Sequence, residues 1–64
     1  MYLYRRIRDT REDNDQTQRE IARYLKTTQE NYSRYERGER EIPLHHLIKL
    51  SRLWNVSLDY LVSN

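Results

Sequence analysis

Sixty-four residues suffice for one small domain, expected to run from 1 to 64, with a core so small that the chain alone is only marginally stable. Twelve basic against ten acidic residues give a net charge of +2, too slight a bias to name a partner. The chain has no cysteine, no apolar run that approaches a membrane span and no signal-like apolar start, so the cytoplasm is the expected compartment and disulfides, Cys-based zinc sites and membrane insertion are set aside.

In chain order, Met1 to about Asp13 is expected to be a first helix, with Leu3, Ile7 and Thr10 on one face and Tyr4 extending it. Glu12 to Gln16 is a polar connection rich in turn-forming Asn and Asp. Thr17 and Glu20 have the Thr-x-x-Glu spacing of a capping box, which opens a second helix with Ile21, Ala22, Tyr24 and Leu25 as its apolar stripe, stopping around Lys26. Thr28 caps a third helix that runs to about Arg37 and closes at Gly38, the one glycine. After the short loop Glu39 to Ile42, Pro43 fits the first turn of a fourth helix whose Leu44, Leu47, Ile48, Leu50, Leu53 and Trp54 form a wide apolar surface. Asn55 suits a left-handed stop, and Ser57 caps a fifth helix from Leu58 to about Val62. The fold class is therefore all-α, a compact bundle of five helices.

The third helix has two unlike faces. With Gln29 at zero and about 100° per residue, Ser33, Arg37, Glu30 and Arg34 fall between about 40° and 140°, while Tyr35 and Tyr32 fall near about 240° and 300°. Tyrosines thus share one side, and hydrogen-bonding residues suited to base edges and phosphates share the other. A merely solvated face would not need that chemistry.

The stretch TQREIARYLKTTQENYSRYERG resembles the helix-turn-helix of the Cro/repressor-type (XRE) family, with Ser33, Arg34, Tyr35, Glu36 and Gly38 matching its ending and a motif of about 18–37. The similarity extends from about Ile7 to Leu61. It implies an ion pair between Arg11 and Glu36. It also exposes four departures: Lys26 and Asp15 stand where glycine is usual, and Thr10 and Gln16 stand where leucine is usual.

Sequence-specific binding of double-stranded DNA by a transcriptional regulator, a repressor of prokaryotic or phage type working at the nucleoid, is the leading expectation. Gln29 suits adenine, Arg34 guanine or a phosphate, and Glu30 cytosine N4, with Asn31 and Ser33 in support. Gln18 and Thr28 at helix N-termini, with Arg37 and Arg40, are expected to hold phosphates. The C-terminal end carries more apolar surface than a small core needs. With Leu50, Trp54 and Leu61 assigned to the core, Leu53, Leu58 and Val62 are the expected interface of a homodimer on a near-palindromic operator. The alternative is a protein-interaction module of the same fold, antitoxin-like.

No enzyme, metal site or cofactor is expected. His45 and His46 are adjacent, so they cannot share a helix face as metal ligands, and both are read as surface residues. The tyrosines read as core or core edge rather than as stacking platforms for single strands. No length remains after the fifth helix for an inducer domain, so a minimal regulator or a piece of a longer protein is expected.

Overall fold

Five helices, α1 (Arg5–Asp13), α2 (Gln18–Leu25), α3 (Gln29–Glu36), α4 (Leu44–Trp54) and α5 (Leu58–Val62), make up the computed structural model, which describes residues 4–63. Met1 to Leu3, expected in the first helix, lie outside the described residues. Three helix starts are set by side chains. The Thr17 hydroxyl accepts from the Glu20 amide at 3.1 Å while the Thr17 amide donates to the Glu20 carboxylate at 2.9 Å, a complete capping box. Thr28 accepts from the Asn31 amide at 3.0 Å, and Ser57 from the Tyr60 amide at 3.0 Å. Pro43 stands just before α4 as its N-cap, one place earlier than the first-turn position expected for it.

The first four helices end in the same way. The closing residues are Asp15, Lys26, Gly38 and Asn55, with φ of 56°, 60°, 75° and 54°. Each following amide reaches back to a carbonyl five residues earlier: Gln16 to Arg11, Thr27 to Ala22, Glu39 to Arg34 and Val56 to Ser51, at 2.9–3.1 Å. This backbone closure satisfies carbonyls that the helix leaves open. Only one of the four closing residues is glycine. Asp and Asn enter the left-handed region through local hydrogen bonding, but lysine has no such relief.

Around these stops the helices close over one core that draws on all five. Ile7, Ile21, Leu25, Tyr32, Leu50 and Leu61 are completely enclosed. α2 packs mainly on α3, α1 on α5 and α3, and α4 on α5. The Tyr24 hydroxyl donates to the Lys49 carbonyl at 3.3 Å and joins α2 to α4. Thr10 is buried at its expected core position. Gln16 fills the place of an apolar anchor by accepting a 2.8 Å hydrogen bond from the Trp54 indole N–H. A buried indole needs such an acceptor.

His46 departs from the surface position read for both histidines. It is buried, with its ring centroid 6.0 Å from that of Tyr35 and 4.3 Å from that of the exposed His45. Its Nδ1 has no hydrogen-bond partner among the described residues. Burial, reinforced by His45 and Lys49, holds its pKa below the ordinary value. The buried face of α4 is formed by His46, Leu47, Leu50 and Trp54, whereas Leu44 and Leu53 of the expected apolar surface are exposed, so the helix is turned about its axis in a way that carries His46 inward.

The left-handed Lys26 yields a direct expectation. Lys26→Gly should raise the stability of the domain by about 1 kcal/mol, because the relief of the Cβ clash exceeds the entropy lost by a freer residue. Urea unfolding of the two proteins measures it, and equal midpoints would show that the turn carries no strain.

Candidate nucleic-acid interface

α3 buries Tyr32, Tyr35 and Glu36 and turns Gln29, Glu30 and Arg37 to solvent, with Ser33 and Arg34 half-buried at the edge of that face. Its outer charges are already paired. Arg34 donates to Glu30 at 2.9 Å, an i, i+4 pair legible from spacing alone. Arg37 donates from Nε to Glu39 at 2.7 Å and from Nη1 to the Ser33 hydroxyl at 3.1 Å. The Glu39 partner has no signal in helical spacing, because it lies beyond the helix and is brought back only by the turn at Gly38.

Asn31 faces partly inward. Its amide donates to the Thr27 hydroxyl at 2.8 Å and to the Tyr35 hydroxyl at 3.0 Å, which leaves its carbonyl oxygen for any further contact. Thr28 uses its oxygen as the cap of α3 and is exposed. Arg40 is exposed in the loop after α3, with no carboxylate within ion-pair distance among the described residues.

Beneath this face lies the strongest electrostatic contact of the domain. Arg11 of α1 approaches Glu36 at the end of α3 with two parallel hydrogen bonds, Nε to Oε2 at 2.6 Å and Nη2 to Oε1 at 3.1 Å. Its remaining nitrogen, Nη1, donates to the Gln16 carbonyl at 2.8 Å. Gln18, read as a phosphate ligand, donates its side-chain amide to Glu36 Oε1 at 2.9 Å. Both charged partners are buried. Burial alone pushes the Glu36 carboxyl up, but the hydrogen bonds from Arg11 and Gln18, with Tyr32 alongside, hold it below the ordinary carboxylate range. The hydrogen bond to Glu36 raises Arg11 in turn, against the opposing effect of burial. The Tyr32 hydroxyl is buried beside this pair without a hydrogen-bond partner of good geometry, and burial first, then Glu36, moves its ionisation far upward.

Two helices of eight residues, joined by the tight left-handed turn at Lys26 and crossing so that the second shows a polar face, form a helix-turn-helix. A family model described as helix-turn-helix matches residues 7–61. The chain belongs to the XRE-type helix-turn-helix family. It is 42% identical over 62 residues to the HTH-type transcriptional regulator ImmR of Bacillus subtilis (strain 168), an alignment covering 97% of this chain and 49% of that protein. The chain thus spans about half the length of the curated relative it matches. No solved structure matches it. Among the described residues, no helix of this family member is long and apolar enough to cross a membrane.

The buried pair sets both a coupling and an acid response. Arg11→Ala or Glu36→Ala alone should cost about 3–5 kcal/mol by stranding the other charge. The double variant should lose less than the sum, and additive losses would show that the pair does not interact. Because the folded carboxyl lies below its unfolded value of about 4.3, its contribution is present above that pH and is lost as pH falls through the folded pKa. Denaturant titrations from neutral pH to pH about 3 should therefore show a steep acid limb in the native chain and a shallower one in Glu36→Gln.

Proposed function

We propose that this domain binds double-stranded DNA in a sequence-specific way, as the DNA-binding part of a transcriptional regulator that represses by occupying its operator. It acts as a binding domain rather than an enzyme, in the cytoplasm at the nucleoid. The observation that carries this reading is α3, with tyrosines and Glu36 locked inside and Gln29, Glu30, Ser33, Arg34 and Arg37 on or beside the outer face. Family membership and the likeness to a transcriptional regulator support it.

In this docking the N-terminal end of α3 enters the major groove, which admits one helix. Gln29, the first residue of α3 and fully outward, reaches an adenine edge. Glu30 accepts from cytosine N4, and its partner Arg34 swings to guanine or a phosphate. Ser33 supports them, and Asn31 contributes only its carbonyl oxygen. Arg37, Arg40 and the hydroxyl of Thr28 hold the backbone, together with Gln18, which shares its side-chain amide with Glu36 and keeps a second N–H for a phosphate.

Gln29→Ala should change the preferred base at one position of each half-site and cost about 1–3 kcal/mol on the best site. Arg40→Ala should weaken all duplexes alike and make the salt dependence shallower by about one unit. Binding-site selection from random duplexes, followed by salt titrations, separates the two effects. An unchanged motif and slope in both variants would refute this docking.

We also infer a two-fold homodimer on a near-palindromic operator. The domain measures 25 × 24 × 20 Å, whereas successive major-groove faces lie about 34 Å apart, so a dyad needs two copies. Leu53 on α4 and Leu58 and Val62 on α5 are 37%, 37% and 42% exposed, on two helices that pack together. Leu50, Trp54 and Leu61 lie inside the core, so the exposed three are not needed to complete it. Sedimentation with and without selected duplex should show two proteins per site, and Leu58→Glu should reduce this to one while leaving the fold intact. A native chain that binds singly to sites without a dyad overturns the dimer.

A further inference from the structure

The cationic side chains of this domain fall into two groups that the proposed docking does not distinguish. On α3 the arginines are occupied by carboxylates, Arg34 by Glu30 and Arg37 by Glu39. On α2, Arg19 and Arg23 are exposed and have no carboxylate within ion-pair distance among the described residues. They stand four residues apart, so they project from the same face of the helix. Glu20 between them is turned away and spent on the Thr17 cap.

The two arginines flank an open cleft of ≈ 450 Å³ between α2 and the start of α3, lined by Arg19, Ala22, Arg23, Thr27 and Gln29. No acidic residue lines it. Ala22, small and buried, forms its floor, so the depth of the cleft depends on the absence of a larger side chain there. A second, smaller cleft, lined by Arg5, Arg8, Asp9, Glu12 and Glu36, mixes both signs and holds no comparable excess of positive charge. The first turn of α3 adds its own partial positive charge at the rim of the α2 cleft. Gln29 belongs both to this rim and to the base-reading face, so whatever occupies the cleft lies next to the first base read.

We propose that the Arg19–Arg23 cleft is an anchor for a phosphate of the DNA strand that borders the major groove on the α2 side, in addition to the contacts assigned above. The inference rests on the DNA-binding reading. Two forked guanidiniums with a small-residue floor between them suit the two non-bridging oxygens of a backbone phosphodiester and those of its neighbour. Since neither arginine has an intramolecular pair to break, the anchor engages every duplex alike. It supplies the sequence-independent attraction that the paired arginines of α3 do not give until their own carboxylates are displaced.

The experiment compares the native chain with Arg19→Gln, Arg23→Gln, the double variant and Arg19→Lys/Arg23→Lys on the selected operator duplex and on a scrambled duplex across a salt series. Each glutamine variant should bind both duplexes on the order of tenfold more weakly at low salt and lower the log–log salt slope by about one, with about two for the double variant. The lysine variant should keep the native slope. The selected base motif should not change, and thermal unfolding should match the native chain, since both side chains are exposed. Arginine Nε–H resonances of the native chain should shift on adding duplex. A native slope in the double variant overturns the anchor while native binding leaves the DNA reading standing. No duplex binding by the native chain overturns both. Shifts produced by inorganic phosphate but not by duplex also overturn the proposal, as they mark a free-anion site.

Discussion

The structure depends on one buried carboxylate. Glu36 receives Arg11 from α1 and Gln18 from the first turn of α2, while Arg11 also holds the Gln16 carbonyl in the connection between them. Three consecutive elements are thereby tied to the end of α3. Removing two charges from water is expensive, and only near-complete hydrogen bonding offsets it. Here both carboxylate oxygens and three guanidinium nitrogens are used. The return is orientational. A cluster of leucines would tolerate sliding of α3 against α1, whereas a two-pronged guanidinium–carboxylate contact fixes both distance and rotation. In the proposed docking that matters, because the side chains of α3 would have to meet a fixed pattern of base edges.

The remainder of the domain substitutes polar contacts for core where residues are few. Trp54 is seated by Gln16 across 38 residues, Tyr24 by a carbonyl of α4, and Tyr60 carries the Arg6 guanidinium 4.4 Å above its ring. These contacts are directional, and at the buried Trp54 loss of the partner would leave the indole N–H orphaned. Tyr32 and His46 mark where the substitution is incomplete, with one buried polar atom each left without a partner among the described residues. A small core with two such groups has little reserve.

What could be read from the sequence was what is local. Thr17 with Glu20, Thr28, Ser57, Gly38 and Asn55 act within four or five residues of themselves, and each stands where its spacing placed it. The two faces of α3 likewise follow from one angle per residue. The Arg11–Glu36 contact spans 25 positions, and family likeness suggested it where periodicity could not. The Trp54–Gln16 bond and the engagement of Gln18 by Glu36 depend on how separate elements meet, for which a polar side chain offers no periodic signal. Asn31 lies between the two faces of the wheel, so its inward turn is decided by two hydroxyls, Thr27 and Tyr35, that the wheel does not contain. His46 reads as a surface residue because its side chain is polar, and the packing of α4 that buries it while exposing Leu44 carries no signal in the residue types themselves.

The charge pattern on α3 bears on selectivity more than on affinity. The Glu30–Arg34 and Glu39–Arg37 pairs are exposed, and solvent screening leaves such pairs little net strength. Opening them therefore costs little in itself. The larger cost falls on the carboxylates, which stand against phosphates once their arginines leave. In the proposed docking Glu30 would recover that cost only where a cytosine amino group meets it, and any other base would leave a desolvated negative charge beside the backbone. A face built from unpaired arginines would bind every duplex well and separate them poorly. A face whose arginines are released only when the carboxylates are received elsewhere binds the wrong duplex weakly, so discrimination rises as intrinsic attraction falls. In the proposed docking, encounter with DNA would then rely on cations outside that face, where the loop carries Arg40 and the exposed side of α2 carries Arg19 and Arg23.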